Sequence, residues 1–449
     1  MSSPGKRLAI SLFSGGMGLD IGMEQAGIEI PVCVEILPKC GETIRLNRPE
    51  IHLFNQDIRE VKTTRMMEAA NVKLGELFAV VGGPPCQSFS TGGKRSAIND
   101  HRGELFMEFI RTVKESNPDF FVFENVSQLM TAAVKHRPIA ERPGQNWNLS
   151  AYSRNRSGNG LPLSGDENGD TDVRPLEDAE LSGSAFGVII EEFEKLPYEL
   201  SFAVLNSADF GVPQKRLRLV VVGSKRPGVY RLPQPTHSKG GDNGLPPWRT
   251  LRDALKGLKE KTPLHSSYGD EFQRFFAMIP PGKNWRAMPV EEQRKALGNA
   301  FSSGGGKTGF FRRLSWDEPT PTIVAKPNRK SCAICHPQEI RPLTVRESAR
   351  VQGFPDDWTF AGGMHEQYLQ IGNAVPVGLG AAVGRSLIEA ADREPFGGIR
   401  DNWESRKEEM LQAAKAVLKA AARNEVIKGS KTSGRKTKGS KHKNEPTLF

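Results

Sequence analysis

The first 130 residues alternate short apolar runs with amphipathic stretches, and this alternation constrains the fold more than any other feature. Buried strands are predicted for four apolar runs, at residues 8–13, 31–35, 77–81 and 120–123. Helical patterns lie among them, at residues 18–26, 38–46 and 105–113. Strands buried on both faces and separated by helices predict an α/β fold with a parallel, doubly wound sheet. Because such a sheet binds ligands beyond the carboxyl ends of its strands, functional side chains are expected there.

Cys86 follows the run at residues 77–81, in the sequence Gly-Gly-Pro-Pro-Cys-Gln-Ser-Phe-Ser of residues 82–90. The two prolines restrict the backbone before the sulfur, so the thiol is held in one place at the end of a strand. A free cysteine taken alone is more commonly a small buried hydrophobe. A packing site has no need of a proline pair followed by polar residues, so this context favours a nucleophile.

Three other strand ends carry groups suited to a nucleoside. Residues 13–18, Phe-Ser-Gly-Gly-Met-Gly, follow the first strand and open a helix, where glycines allow a ligand to approach the backbone closely. Glu35 ends the second strand, where an acid characteristically binds ribose hydroxyls. Asp57 is predicted to end the next strand, near an adenine amine. Each acid alone is commonly a turn residue, but the three ends together predict a nucleoside pocket.

Glu124 ends the strand predicted at residues 120–123, which is expected beside the strand that leads to Cys86. A glutamate at a strand end is more commonly a capping or salt-bridged residue. Next to a thiol and a nucleoside pocket, Glu124 becomes a candidate proton donor.

Taken in this order, these segments resemble the DNA (cytosine-5) methyltransferase family of the bacterial restriction-modification type. Residues 214–218, Gln-Lys-Arg-Leu-Arg, are similar to the family's Q-x-R-x-R motif. Residues 341–347 are similar to its R-x-L-T-x-R-E segment, and residues 370–376 to its closing G-N motif. Motifs in the family's order carry far more weight than any one of them, and the resemblance covers residues 7–130, 184–225 and 341–390. Met17 departs from the pattern, since the family usually has glycine there.

The resemblance implies a Rossmann-like S-adenosylmethionine-dependent methyltransferase sheet. It also implies methyl transfer from S-adenosylmethionine to C5 of a cytosine flipped out of a short duplex DNA sequence. Cys86 would add covalently to C6 of the base, with Arg216 and Arg218 favouring the thiolate. Glu124 would hydrogen-bond N3 and the exocyclic amine. Arg218 is expected at the cytosine O2 and Arg216 at a phosphate, with both guanidiniums on one face of a strand.

The resemblance further implies which residues bind the cofactor and the DNA. The cofactor set is Phe13, Gly15, Gly18, Glu35, Ile36, Asp57, Ile58, Pro84, Leu105, Asn373 and Val375. Residues 87–101 suit a lid over DNA, although an ordinary surface loop is equally consistent; the candidate contacts are Gln87, Ser88, Ser90, Lys94 and Arg95. In the recognition region the candidates, most of them for phosphates, are Arg312, Arg313, Lys326 and Arg329.

A chain of 449 residues exceeds what one core normally holds, which predicts two domains. The catalytic domain is expected in three parts, at residues 1–130, 184–225 and 341–395, with a polar insertion at residues 131–183. A smaller target-recognition domain is expected at residues 226–340, where strand–helix alternation is lost. Residues 396–449 are predicted to be helical and then disordered, since the stretch from Lys428 to Lys443 is basic and contains no acid.

The remaining patterns bear on metals, compartment and partners. Cys332, Cys335 and His336 form a C-x-x-C-H pattern, but without a second cysteine pair we expect packed thiols and no metal. Few cysteines and a polar N-terminus without a signal peptide or membrane span predict a cytoplasmic protein. The basic tail suits a polyanion, or serves only as a solubilising terminus. We expect a monomer that acts on double-stranded DNA, with a cognate restriction endonuclease as a genetic partner.

Two alternatives stay open. The same fold could methylate tRNA, as a branch that resembles the DNA enzymes does, although the sizeable recognition region favours duplex DNA. A non-catalytic DNA-binding relative is the other alternative, and it gives no reason to keep Cys86, Glu124 and Arg218 together.

Overall fold

The computed structural model describes residues 6–85, 103–135, 177–301, 309–394 and 403–430. The strands of the first half are β1 (Leu8–Leu12), β2 (Glu29–Val34), β3 (His52–Phe54), β4 (Ala79–Gly82) and β5 (Phe120–Val126). The later strands are β6 (Glu199–Asn206), β7 (Gln214–Lys215), β8 (Leu217–Ser224), β9 (Arg312–Arg313), β10 (Thr320–Pro321) and β11 (Ile334–Cys335). The four strands predicted from apolar runs are all present, with small shifts at their ends.

Within the described residues, seven strands form the central sheet, in the order β3-β2-β1-β4-β5-β8-β6. The pairings among β1 to β5 are all parallel, as predicted. β8, which lies outside the segment on which the parallel sheet was predicted, pairs antiparallel with both β5 and β6. Its reversal brings the start of β8 to the carboxyl end of β5, the edge at which such a sheet binds ligands.

Helices cover both faces of the sheet. In chain order they are α1 (Gly18–Gln25), α2 (Pro38–Asn47), α3 (Thr63–Ala69), α4 (Gly103–Ser116), α5 (Ser184–Glu194), α6 (Leu251–Leu255), α7 (Asp270–Ala277), α8 (Val290–Leu297), α9 (Val345–Gln352), α10 (Met364–Asn373), α11 (Val377–Asp392) and α12 (Trp403–Ser430). One apolar cluster joins the sheet to α1, α2, α9, α10 and α11, and a second joins it to α3, α4, α5 and α12. Ala9 belongs to the first cluster and Ile10 to the second, as alternation along β1 requires.

A third apolar cluster lies within the predicted recognition region. Its buried aromatic members are Tyr268, Phe275, Phe276, Trp285 and Phe311. Tyr230 and Leu251, in contrast, belong to the cluster that includes α1 and α11. The region therefore has a small core of its own, while its first part packs on the catalytic core. Its limits at residues 226 and 340 stay a prediction.

The C-terminal helices belong to the core. The stretch Met364–Asp392, which spans α10 and α11, is long and apolar enough to cross a membrane, but 67% of its apolar 18-residue window is buried inside the protein. α12 lies against β6, where Arg406 and Glu199 form an ion pair of 2.7 Å. The predicted helical part of residues 396–449 is thus present. Residues 136–176 of the predicted insertion and residues 431–449 of the predicted tail lie outside the described residues.

Candidate active site

The antiparallel pairing of β5 and β8 creates a buried ion pair at the carboxyl end of the parallel strands. Val126 lies opposite Arg218 in this ladder, and Glu124 lies opposite Val220. Residues that face each other across a pair, or that are two apart along a strand, project to the same face. Glu124 and Arg218 are therefore diagonal neighbours, and the Arg218 Nε lies 2.7 Å from the Glu124 Oε1. The sequence predicted both residues for the site but not their contact.

Burial controls the charge of Glu124. Its side chain is 11% exposed, as is that of Arg218. Loss of hydration raises the pKa of the Glu124 carboxyl above its ordinary value, while the Arg218 and Arg216 guanidiniums act in the opposite direction. A raised pKa makes the protonated form more accessible near neutral pH, which suits the predicted proton donor.

The turn that leads toward Cys86 is fixed against this ion pair. A Cβ added to Gly83 would lie only 2.7 Å from the Glu124 Oε2, so the carboxylate packs directly on the turn. Asn125 donates from Nδ2 to the Pro84 carbonyl at 3.1 Å, which holds the ends of β4 and β5 together. Cys86 itself lies outside the described residues, as do the predicted DNA contacts Gln87, Ser88, Ser90, Lys94 and Arg95.

Arg216 lies between β7 and β8, and its side chain is buried in the protein interior. It is 1% exposed, and it donates from Nη1 to the Ile323 carbonyl and from Nη2 to the Gly372 carbonyl, both at 2.9 Å. This geometry counts against the predicted phosphate contact, because both terminal nitrogens already bind backbone and the side chain is buried. Burial, and then the charge of Arg218, lowers the pKa of Arg216, while the charge of Glu124 acts in the opposite direction.

The turn after β1 has a backbone that suits close approach of a ligand. Phe13, Gly15 and Met17 have positive φ angles of 58°, 55° and 68°. Met17 is therefore held in the left-handed conformation that glycine adopts without strain, which explains why glycine is usual there. Its side chain is fully buried in the first apolar cluster, and this packing offsets the strain. The departure from the family pattern leaves the turn in place.

Gly18 and Val375 bring the first and last motifs into contact. A Cβ on Gly18 would lie 2.1 Å from the Val375 carbonyl oxygen, so only glycine fits at this position. Val375 is buried, whereas Asn373 at the end of α10 is exposed. The fold thus places the predicted cofactor residues of the two motifs side by side.

Glu35 follows β2 and is the second carboxylate of the site. Its Oε2 accepts from the Gly15 N–H at 2.7 Å, and its Oε1 accepts from the Leu37 N–H at 2.8 Å. A carboxylate has about four acceptor positions, so each oxygen can still accept a hydrogen bond from a ribose hydroxyl. Burial raises the pKa of Glu35. The adjacent Ile36 is 56% exposed and offers an apolar surface of the kind that a nucleoside base covers.

The remaining predicted cofactor residues are placed in other ways. Asp57 lies beyond the end of β3 and caps a short 3-10 helix, with its Oδ2 2.6 Å from the Arg59 guanidinium. Hydrogen bonding to Arg59 lowers the pKa of Asp57, and this pairing competes with the predicted contact to an adenine amine. Ile58 is buried, so a ligand could reach only its backbone. Leu105 is half-buried against the second apolar cluster, and Pro84 is buried.

The predicted DNA contacts of the recognition region differ in their availability. Arg313 donates from all three guanidinium nitrogens to backbone carbonyls, so it stabilises this region, and these contacts compete with the predicted DNA contact. Arg329 is exposed and Lys326 is half-buried, so both can reach a duplex. Arg312 is half-buried, and its backbone N–H donates to the Ala333 carbonyl.

The C-x-x-C-H segment is packed against the third apolar cluster. Cys335 and His336 are buried, and Cys332 is half-buried. The Cys335 and Cys332 sulfurs lie 3.3 and 3.4 Å from backbone carbonyls. In the part of the chain that the structure describes, no group of three or more His, Cys, Asp or Glu residues is placed to hold a metal ion.

Sequence reasoning missed Gly83, Asn125 and the buried contacts of Gln214. Gln214 accepts at Oε1 from the Ile323 N–H at 2.8 Å, which its place in a motif did not indicate. Asn125 carried a usable signal, because it is a polar residue directly after Glu124 in an otherwise apolar strand. A buried amide must be hydrogen-bonded, and the neighbouring turn was the nearest source of acceptors.

Most of the chain is similar in sequence to known DNA methylases. The chain matches a family model described as C-5 cytosine-specific DNA methylase over residues 8–138 and 173–389. It is 35% identical over 398 residues to the type II methyltransferase M.Eco47II of Escherichia coli, an alignment that covers 86% of this chain and 79% of the relative. It is 33% identical to the type II methyltransferase M.Sau96I of Staphylococcus aureus, with 84% and 74% covered.

Solved structures share the fold. A putative DNA modification methyltransferase encoded within an Escherichia coli prophage is 20% identical with a TM-score of 0.53, covering 86% of this chain and 100% of that one. The DNMT2 of Spodoptera frugiperda is 16% identical with a TM-score of 0.52, covering 85% and 100%. At these identities the likeness concerns the fold alone, and it agrees with the predicted methyltransferase sheet.

Proposed function

The chain belongs to the family of C-5 cytosine-specific DNA methylases, and from this premise we propose how its residues divide the reaction. It is a DNA (cytosine-5) methyltransferase, which transfers a methyl group from S-adenosylmethionine to C5 of cytosine in DNA. In our proposal Cys86 is the nucleophile, Glu124 supplies a proton to the base, and Arg218 orients Glu124 and binds the cytosine O2. The buried Glu124–Arg218 pair, packed on the turn that precedes Cys86, is the observation that carries this assignment.

The described residues fit S-adenosylmethionine. The Glu35 oxygens keep acceptor capacity for a ribose, the exposed Ile36 offers a surface for a base, and the Gly18–Val375 contact closes the adjoining wall. When bound, the cofactor supplies an electrophilic methyl group on a sulfonium. Residues that would hold it are Phe13, Gly15, Gly18, Glu35, Ile36, Asn373 and Val375.

C5 of cytosine is a weak nucleophile, and the protein must raise its reactivity. In our proposal the Cys86 thiolate forms a bond to C6, and the electron pair of the C5–C6 double bond makes C5 nucleophilic. Glu124 gives its proton to N3 as this charge develops. After C5 accepts the methyl group and the neutral thioether departs, water takes up the C5 proton, the double bond re-forms and the thiolate is expelled, and N3 returns its proton to Glu124.

The ion pair gives Glu124 and Arg218 distinct tasks. Burial favours the protonated Glu124 carboxyl, and Arg218 favours the carboxylate. Because the two effects oppose each other, Glu124 can give its proton to the flipped cytosine when the cytosine displaces water from the site. Arg218 also donates from Nη1 to the Leu217 carbonyl, which fixes the guanidinium plane. Because Nε contacts Glu124, Nη2 is the nitrogen that we assign to the cytosine O2.

The substrate is DNA, and we infer that it is double-stranded. A cytosine inside a duplex hides C6, so the base must be flipped out at a cost of about a few kcal/mol. The exposed Arg329 and half-buried Lys326 are available to position the duplex through phosphates. The family description names DNA, which favours this substrate over the tRNA alternative.

The two relatives described above are type II methyltransferases, which supports a role as the modification enzyme of a restriction-modification system. We propose a cytoplasmic monomer that methylates a specific short sequence and protects the DNA from a cognate endonuclease.

A trapping experiment tests the assignment of Cys86. Bisulfite sequencing of a host that expresses the protein first identifies the methylated sequence. A duplex with 5-fluorocytosine at that position, which has no C5 proton to lose, should then form a covalent adduct with the full chain in the presence of S-adenosylmethionine. Cys86→Ser should form none. Wild-type protein that methylates the site but yields no adduct would refute the covalent mechanism and leave the family assignment untouched.

A further inference from the structure

Arg216 is the largest fully buried side chain in the described part of the chain. Its Nη1 donates to the Ile323 carbonyl, 107 residues away in sequence, and its Nη2 donates to the Gly372 carbonyl, 156 residues away. Its charge also acts on Glu124. A planar guanidinium can hold two carbonyls in a fixed relative geometry, which the single ammonium of lysine cannot do. Through its two hydrogen bonds, Arg216 joins the start of β8 to the segments that contain Ile323 and Gly372.

Two of these segments already touch through their backbones. A Cβ on Gly372 would lie 2.3 Å from the Ala325 nitrogen, so the end of α10 packs directly on the backbone of residues 324–325 in the recognition region. Gly372 begins residues 372–375, the cofactor turn, which contains Asn373 and Val375, both placed at the cofactor by the proposed function. A shift of residues 323–325 would therefore displace the cofactor turn.

Two buried glutamines add hydrogen bonds to the junction of these segments, which comprises residues 214–216, 323–325 and 371–374. Gln214 accepts from the Ile323 N–H and donates from Nε2 to the Gln352 Oε1 at 2.7 Å. Gln352 in turn donates from Nε2 to the carbonyls of Ile371 and Ala374. The junction is thus a connected network of buried polar groups, and such networks hold one arrangement rather than several.

We propose that Arg216 is a positioning residue, which couples the cofactor turn at residues 372–375 to the base-binding pair Glu124–Arg218 and to residues 323–325 of the recognition region. It does not contact DNA. The proposal rests on the proposed function, because the turn matters only if it lies at the cofactor. Loss of Arg216 should loosen the cofactor turn even when no DNA is present.

Two variants of the full chain test this coupling. Arg216→Met removes both hydrogen bonds at similar volume, and Arg216→Lys keeps the charge without the planar fork. We expect both to bind S-adenosylmethionine about tenfold more weakly without DNA, as measured by equilibrium dialysis. The slope of DNA affinity against salt concentration should stay at the wild-type value, because no phosphate contact is lost.

Arg226→Met is the matched control. Arg226 lies just after the other end of β8, and its guanidinium also donates to backbone carbonyls, those of Ala390, Ala391 and Arg393 at the end of α11. Its loss removes the same kind of contact far from the cofactor turn. The affinity for S-adenosylmethionine should therefore be unchanged in this variant.

The outcomes separate the proposal from its rival. Wild-type cofactor affinity in the two Arg216 variants, or a salt slope reduced by about 1, would overturn the coupling and support a phosphate contact. If neither variant folds, hydrogen exchange in the wild type decides: S-adenosylmethionine alone should protect residues 320–325, and unchanged exchange there would overturn the proposal. Failure of the proposed function would appear differently, as wild-type protein that binds no S-adenosylmethionine.

Discussion

Gly83→Ala should separate activity from stability at this site. The added Cβ would lie 2.7 Å from the Glu124 Oε2, whereas ordinary contacts begin at 3.4 Å, so the carboxylate must move by 3.4 − 2.7 = 0.7 Å. The atom that moves is the end of a side chain, so we expect the free energy of unfolding to fall by no more than about 1 kcal/mol. The same atom would bind the base, and a misplacement of about 1 Å can cost 10²-fold in rate.

Transfer of a tritiated methyl group from S-adenosylmethionine to a duplex that carries the methylated sequence measures this effect. We expect kcat to fall by about 10- to 100-fold, with little change in cofactor affinity, because Gly83 lies on the base side of the site. Urea denaturation of the same preparations reports stability.

Gly187→Ala is the matched control, since a Cβ at Gly187 in α5 meets nothing within 4 Å. It should leave both kcat and cofactor affinity unchanged. A Gly83→Ala enzyme with the wild-type rate would refute the reasoning, because the Glu124 carboxylate would then not need its observed position.

Three further changes give expected outcomes. Asn125→Ala removes the hydrogen bond to the Pro84 carbonyl, so the unfolding free energy should fall by about 1 kcal/mol and adduct formation with 5-fluorocytosine DNA should slow; an unchanged rate would argue against its role. Arg218→Met leaves Glu124 buried without its partner, so stability should fall by about 3 kcal/mol at pH 8 and recover partly at pH 5, where the carboxyl takes up a proton; a pH-independent loss would count against this. Burial raises the pKa of Asp20 from 3.8 to about 7, so its contribution to stability is complete below pH 3.8 and is lost as the pH rises through about 7. Asp20→Asn should therefore exceed the wild type by roughly a few kcal/mol in urea denaturation at pH 8 and match it near pH 4, and equal pH dependence would contradict this.

The parallel half of the sheet was predictable because its signal is local. β1, β2, β4 and β5 are short apolar runs bounded by turn residues, and the acids that end them fall where the rules for such sheets place ligands. The positions of Glu35 and Glu124 at the ends of strands follow from this local pattern alone. The pairing of Asp57 with Arg59 does not, because it depends on the chain turning into a 3-10 helix after β3.

The sequence could not predict features that depend on the direction of a strand, or on contacts between residues far apart in the chain. The reversal of β8 has no local signature, yet it alone makes Arg218 a diagonal neighbour of Glu124. Alternation predicted Arg216 and Arg218 on one face of a strand, but it could not show that Arg216 would find its acceptors more than 100 residues downstream. The conformation of Met17 is a similar case, since only tertiary packing explains a buried methionine with a positive φ.

The short parallel pairing of β7 with β10 has a consequence for how the chain folds. Thr320 lies opposite Gln214 and Pro321 opposite Lys215, so two segments more than 100 residues apart in sequence meet in one ladder. β8 enters the central sheet directly after β7, and the ladder can form only when the chain has returned from the recognition region. Contacts of such long sequence separation close a large loop and slow folding, so this pairing is expected to form late.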